Sequence, residues 1–494
     1  MVLKKEWTTP DRYKKYNDWD TDYIKELITT VTHSPWRLGY HIQPKTGLLN
    51  DPNGFSFFNG KWQLFYQAYP IGPVHGVKSW AHLTSDNLID WTYEGLALEP
   101  DTFFDSHGVY SGSALPVNDK LLLAYTGNVR DDNWQRRSYQ LGAWMDTTNH
   151  ITKIDEPLID HPPVGFSHDF RDPQIIPFND GYLLIIGAQT TDNKGKALTY
   201  TSKDLQNWTL NGELNFTNEP MGYMVECPNL VFSNDKALLI FCPQGLDKSI
   251  CHYDNIYPNM YIIGDSYDLE TNAITNPTAL KNLDEGFDVY ATQAFNSPDG
   301  RVLAVSWIGL PEVNYPTDDY GWAHCLSIIK ELIIKDDKLY QLPAKETKTL
   351  RLNSIKLPES QTIHYDAKTN CYELEIDCHD SEKGQIKLMT QENGENGLSI
   401  SFDTTCGKII IDRSHIGNGF AREYGETREF SISQKPLTLQ IFVDESLVEV
   451  FINDGEQVAT ARVFPEAEAN HTYITVNTNV PSSITYYELR QTNR

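Results

Sequence analysis

The sequence predicts an all-β protein built as a radial array of antiparallel hairpins followed by a β-sandwich. Three observations carry that expectation. From Tyr40 to about Leu342 the chain runs in short apolar or alternating segments cut by Gly, Pro, Asn and Asp, with no βαβ rhythm. One segment recurs: Ala81-His82-Leu83-Thr84-Ser85-Asp86-Asn87-Leu88-Ile89-Asp90-Trp91 returns as Ala197-Leu198-Thr199-Tyr200-Thr201-Ser202-Lys203-Asp204-Leu205-Gln206-Asn207-Trp208. Each copy reads as a strand ending in Thr-Ser, a turn and a tucked Trp, as expected of equivalent strands in different blades of a radial array. Finally, 494 residues exceed one ordinary core.

The elements follow in order. Asp11 to Thr29 has few turn signals and spaces Tyr13, Trp19, Tyr23, Ile24 and Leu27 for one or two short helices, giving an N-terminal extension over residues 1–32 packed outside the main body. Strands such as Trp62–Tyr66, Leu121–Tyr125, Tyr182–Gly187, Ala237–Cys242 and Val302–Trp307 fall in a first β domain, residues 33–345. After Gln341-Leu342-Pro343-Ala344-Lys345-Glu346 a second domain, residues 346–494, carries alternating runs including Tyr372–Ile376, Ile386–Met389, Leu437–Val443 and Val448–Phe451. Two inward faces of a sandwich account for them without helices. No catalytic constellation stands out there, so its expected job is structural.

Composition excludes several functions. With 41 basic against 67 acidic residues, net charge −26, extended contact with nucleic acid or an anionic membrane surface is not expected, because both need basic patches. No apolar run approaches the roughly 18 residues of a spanning helix, and the N-terminus lacks the apolar stretch of a signal peptide, so the expectation is a cytoplasmic protein. Seven scattered cysteines form neither a disulfide framework nor a Cys-x-x-Cys pair, and Cys371 and Cys378 would face opposite sides of one strand. There is no His-Glu-x-x-His, and His161 with His168 and Asp169 reads as a polar loop; neither a metal nor a cofactor is expected. A homodimer is the base-rate expectation for assembly.

The chemistry concentrates in three carboxylates beside prolines at strand mouths. Leu49-Asn50-Asp51-Pro52-Asn53-Gly54-Phe55 sets Asp51 in a stiff turn among amides, Phe170-Arg171-Asp172-Pro173 precedes Gln174 to Pro177, and Val225-Glu226-Cys227-Pro228-Asn229 precedes Leu230-Val231-Phe232. Taken alone, the first run is more often just a turn; three such settings in a chain with 12% aromatic residues suggest a sugar site. In this order, with Phe65-Tyr66-Gln67, His82 to Leu88 and Tyr110-Ser111-Gly112-Ser113 between the first two, these motifs resemble glycoside hydrolase family 32, the β-fructofuranosidases, and within it the bacterial branch acting on sucrose 6-phosphate. The resemblance is clear over residues 33 to 345. It implies five blades of four strands around a funnel, a sandwich behind them, and a small sugar as substrate.

It also implies roles: Asp51 as nucleophile, Glu226 as acid/base and Asp172 as stabiliser of the transition state, in a retaining double displacement needing no cofactor. The residues alone do not choose among the three acids. Arg171 is expected to fork between Asp172 and sugar, Asn50 and Gln67 to meet sugar hydroxyls, and Ser111 with Tyr110 to fill the family's Phe-Ser-Gly position. Trp80 or Trp322 would stack on sugar or fill between blades, and Asp288 would be an outer sugar contact. Val74-His75-Gly76-Val77-Lys78-Ser79-Trp80 departs from the family's Trp-Gly pair and points to a phosphorylated substrate, with His75 and Lys78 near the glucose side; His107, Arg130, Arg136, Arg137 and His324 are further cations within reach. Cys227 reads as packing. Competing readings are fructan or sucrose hydrolysis and a non-catalytic carbohydrate-binding propeller.

Overall fold

The computed structural model describes residues 3–378, 381–434, 436–466 and 471–493. Five antiparallel blades surround one axis. Their inner strands are Gly47–Phe58, Val109–Val117, Phe166–Phe178, Met224–Ser233 and Val289–Asn296. The ring closes where Gly47 and Leu48 pair in parallel with Trp322 and Ala323 of the last blade's return loop. The recurring segment falls on the third strands of blades 1 and 3, Ser79–Ser85 and Gly195–Ser202, where Leu88 and Leu205 take the same left-handed turn conformation, φ 64° and 63°.

Each inner strand carries a bulge where it reaches the axis. An extra residue there breaks the pairing and re-aims side chains from the sheet face into the funnel. The bulges fall on one four-residue unit per blade: Asn50-Asp51-Pro52-Asn53, Tyr110-Ser111-Gly112-Ser113, Arg171-Asp172-Pro173-Gln174, Glu226-Cys227-Pro228-Asn229 and Tyr290-Ala291-Thr292-Gln293. Proline suits the third position because a bulge has no ladder bond for its missing N–H to break.

The fourth position clasps the ring. Asn53 accepts from Gly112 N at 2.9 Å, Ser113 from Ile175 N at 3.0 Å, Gln174 from Leu230 N at 2.7 Å, Asn229 from Ala294 N at 3.2 Å, and Gln293 from Phe55 N at 2.7 Å. Every blade therefore satisfies a backbone donor of the next, and a donor buried this way costs about 1–3 kcal/mol if its acceptor is lost. The clasp fixes the relative height of the bulges, and so of the side chains they present.

The last blade ends at Pro343, a 3₁₀ turn spans Lys345–Leu350, and the sandwich begins with Arg351–Lys356. Its final strand, Tyr473–Leu489, pairs first with Ser360–Asp366 and Lys383–Thr390 and then with Cys371–Cys378 and Arg351–Lys356, so one strand passes between the layers. Leu374, Ile386, Ile400, Ile441 and Ile484 are fully buried between them. The domains meet through buried charge. His41 Nδ1 lies 2.8 Å from Asp444 and Nε2 3.0 Å from Glu449, while Asp288 accepts from Arg413 Nη1 and Arg462 N, each at 2.8 Å. Cys371 and Cys378 are unbridged, as are the other five cysteines.

At the N-terminus, Asp20 caps the helix Thr21–Thr32 by accepting from Asp22 N, and Tyr23, Leu27 and Val31, four apart, bury one stripe. Before it, Val77 N donates to Arg12 O at 2.8 Å and Tyr16 Oη donates to Val77 O at 2.6 Å, strapping the extension over the loop between the second and third strands of blade 1. No helix among the described residues is long and apolar enough to cross a membrane.

Candidate active site

The bulge units bring side chains of different blades into contact. The second position supplies Asp51, Ser111, Asp172, Cys227 and Ala291, and two neighbouring pairs among them are bonded. Ser111 Oγ donates to Asp51 Oδ2, and Cys227 N donates to Asp172 Oδ2 at 3.0 Å. The Cys227 thiol bridges the two acids, 3.7 Å from Asp51 and 3.5 Å from Asp172. Asp172 and Cys227 sit at φ 69° and 48°, a left-handed backbone that costs energy for residues with a Cβ. Asp172 N is held there by Thr126 Oγ1 at 3.1 Å.

The first position supplies Asn50, Tyr110, Arg171, Glu226 and Tyr290. Arg171 grips Glu226 Oε1 through Nε at 2.8 Å and Nη2 at 2.7 Å, and Tyr290 Oη donates to Glu226 Oε2 at 2.6 Å. Asn50 Nδ2 donates to Asp51 Oδ1 at 3.0 Å and to Gln67 Oε1 at 2.9 Å. Behind Asn50, Lys78 Nζ donates to its Oδ1 at 2.5 Å. Arg171 thus partners Glu226 and, through Nη1 at 2.7 Å, Asp169, rather than Asp172.

Electrostatics separate these groups. Burial pushes Asp51 up, and Glu226 pushes it further, while the donors Ser111 and Asn50 and the charge of Lys78 oppose them. Asp172 is raised to about 7 by burial and then by Glu226, against Arg171. Burial works against charge on Arg171 too, yet Glu226 and Asp169 hold it firmly protonated. Burial, then Asp172 and Asp51, push the Cys227 thiol well above its ordinary value. Asp51, Asp172 and Cys227 place three potential ligand atoms within 4.8 Å of one another.

Among the residues singled out in the sequence, Asn50, Asp51, Gln67, Ser111, Arg171, Asp172 and Glu226 come together here, with Tyr110 half-buried at the rim. Others go elsewhere. Trp80 is fully buried in its blade, donating to Tyr110 O at 3.0 Å and packing on Phe65 and Tyr125. Trp322 is equally buried, donating to Ser34 Oγ and stacked under Arg37. Asp288 spends its carboxylate on Tyr315, Arg413 and Arg462 at the domain boundary, leaving none for sugar.

Lys78 is 3% exposed and lies behind Asn50 and Asp51, not on a glucose-facing rim; burial lowers it to about 7 against the pull of Asp51. His75 is kept neutral by burial and by Lys78, and His324 is buried against Leu49 O. Neither is a free cation for phosphate. Tyr290 is a site residue the sequence does not single out, since Asp288 two positions before it carries the more conspicuous charge. The signal was the recurrence of the bulge unit about every sixty residues, in which Tyr290 occupies the place of Glu226 and Arg171.

The chain matches the glycosyl hydrolases family 32 N-terminal domain over residues 41–343 and the family 32 C-terminal domain over residues 338–488. It is 50% identical over 464 residues to a sucrose-6-phosphate hydrolase of Pediococcus pentosaceus, covering 93% of this chain and 92% of that protein. The solved sucrose-6-phosphate hydrolase of Lactobacillus gasseri superposes with TM-score 0.95 at 46% identity, over 99% of this chain and 100% of the other. A Bombyx mori β-fructofuranosidase in complex with sucrose superposes with TM-score 0.83 at 30% identity, over 95% and 97% of the two chains.

Proposed function

We propose that this chain, which belongs to glycosyl hydrolase family 32 and is a hydrolase of the β-fructofuranosidase type, cleaves the fructosyl bond of sucrose 6-phosphate by a retaining double displacement. Asp51 attacks the anomeric carbon of the fructosyl unit. Its carboxylate is pre-aimed by Ser111 and Asn50, so little reorganisation is needed at the moment of attack. Glu226, oriented by Arg171 and Tyr290, protonates the departing glycosidic oxygen and then deprotonates the water that releases fructose. Asp172 faces the same space within 4.8 Å of Asp51, where it takes fructose hydroxyls and offsets the positive charge of the oxocarbenium-like transition state.

The observation that supports the phosphorylated substrate is likeness along the whole chain, at half identity, to an enzyme of that name. The test is competition: kcat/KM for sucrose 6-phosphate should exceed that for sucrose by more than about tenfold, about 1.4 kcal/mol, within reach of one charge-assisted hydrogen bond. Equal constants for the two sugars, or faster turnover of inulin, would move the chain to a general fructosidase.

A further inference from the structure

The hairpin joining the second and third strands of blade 2, Lys120–Arg130 and Arg136–Met145, stands beside the acid/base and carries an arrangement the three acids do not use. Arg130 and Arg136 are direct cross-strand partners, as are Asn128 and Ser138 one step further in. With a side-chain period of two, all four side chains stand on one face of the hairpin. Like charges directly opposite on a sheet are destabilising. Asp169 pairs with Arg136, and Arg130 Nη1 donates to Trp134 O at 3.3 Å.

On that same face Arg130 Nε, Arg136 Nε, Asn128 Oδ1 and Ser138 Oγ are all buried without a hydrogen-bond partner among the described residues. Buried polar groups are normally satisfied, so four together on two adjacent pairs mark a place shaped for a group from outside the chain. Three of these atoms belong to groups able to donate, and two of those are guanidinium N–H donors, which suits an anion.

The position relative to the chemistry is equally specific. Arg136 and Arg171 share Asp169 Oδ1, and Arg171 holds Glu226, so the pair is linked to the acid/base through two side chains. The guanidinium of Arg136 also lies 5.8 Å over the ring of Tyr110, next to Ser111 and the nucleophile. Trp134 at the hairpin tip is 43% exposed and held at φ 62°, an unusual cost for an aromatic residue. Its ring meets Tyr13 edge-on at 5.1 Å and His107 at 5.6 Å. Tyr13 comes from the N-terminal extension, which therefore reaches the rim beside the cleft.

We propose that Arg130 and Arg136, walled by Trp134, His107 and Tyr13, form the subsite for the phosphate monoester of the departing sugar. This rests on the sucrose 6-phosphate reading and names the residues behind its selectivity. A phosphate monoester carries close to two negative charges at neutral pH and offers three acceptor oxygens, matching two adjacent Arg forks.

The test uses the full chain and the variants Arg130→Gln, Arg130→Lys and Arg130→Gln/Arg136→Gln. Two quantities are measured: the ratio of kcat/KM for sucrose 6-phosphate to that for sucrose, and inhibition of sucrose hydrolysis by glucose 6-phosphate against glucose. Arg130→Gln should lower the ratio at least about tenfold, mainly through KM, and weaken glucose 6-phosphate inhibition by a similar factor. Arg130→Lys should recover part of both, and the double variant should lose most of the preference. Inhibition by glucose 6-phosphate stays readable where a variant is poorly active. Parallel losses on both sugars, or an unchanged ratio in the double variant of a parent that prefers the phosphorylated sugar, would overturn this assignment and leave the substrate reading standing. A parent without that preference overturns both.

Discussion

Replacing Tyr290 with Phe removes one oxygen and leaves a ring of the same size. The lost contact is the 2.6 Å bond from the Tyr290 phenol to Glu226 Oε2. Burial and the nearby Glu226 raise the phenol well above its ordinary value, so it remains a donor at any working pH. The ring environment, with Trp307 at 5.9 Å and Tyr257 at 6.1 Å, survives the change. Removing one partner of a buried hydrogen bond and leaving the other unsatisfied costs about 1–3 kcal/mol, roughly a 5- to 150-fold change at 1.4 kcal/mol per decade. Since the bond fixes the position of the proton donor, kcat/KM should fall by that factor on sucrose. The fall should be several-fold smaller on an aryl fructofuranoside, whose good leaving group needs little protonation. A loss under about threefold on sucrose, or equal losses on both substrates, would refute the positioning role.

Two further outcomes follow. Cys227→Ala should keep kcat within about tenfold of the parent, and the parent itself should resist inactivation by iodoacetamide, because the thiol is buried and its pKa raised; a larger loss would give the sulfur a part in the chemistry. The domain boundary should show a pH signature. Burial opposes charge on His41, but Asp444 and Glu449 raise it from 6.5 to about 9. Its contribution, roughly 3 kcal/mol, is therefore complete below about pH 6.5 and lost as pH rises through about 9. The lowered Asp444 and Glu449 act oppositely, contributing above their ordinary carboxylate range and losing that contribution in acid. Urea unfolding of His41→Gln at pH 6 and 9.5 should show a flatter alkaline decline than the parent; identical slopes would count against the network.

Much of the architecture was legible because strand length, turn residues and one repeated segment are local properties. The copies ending at Trp91 and Trp208 fall on equivalent strands because each encodes a strand, a turn and an anchor within a dozen residues. The acids beside prolines were legible for a similar reason: bulge geometry favours that composition, so Asp51, Asp172 and Glu226 could be picked from type and neighbours. Direction was not legible. Arg171 precedes Asp172 in sequence, yet the bulge turns its fork across to Glu226 in the next blade. Asp288 and Tyr290 lie two apart, but Asp288 precedes the strand Val289–Asn296 and is captured by Arg413 of the sandwich, while Tyr290 stands at the bulge and reaches Glu226. The sequence places Lys78 near the glucose side, and only the fold reveals it buried behind Asn50, to which it donates. These outcomes depend on contacts between blades or domains, which spacing along one chain does not encode.

The central claim, that a fructosyl unit is carried on Asp51 and released with the help of Glu226, has a direct measurement. Glu226→Gln, given a fructofuranoside with an activated leaving group, should form the intermediate but resolve it slowly, since no base remains to activate water. Rapid quenching, digestion and mass spectrometry should then place one fructosyl unit on the peptide bearing Asp51, and Asp51→Asn should abolish both the adduct and turnover. A fructosyl ester on Asp172, or turnover by Asp51→Asn within about tenfold of the parent, would contradict the account.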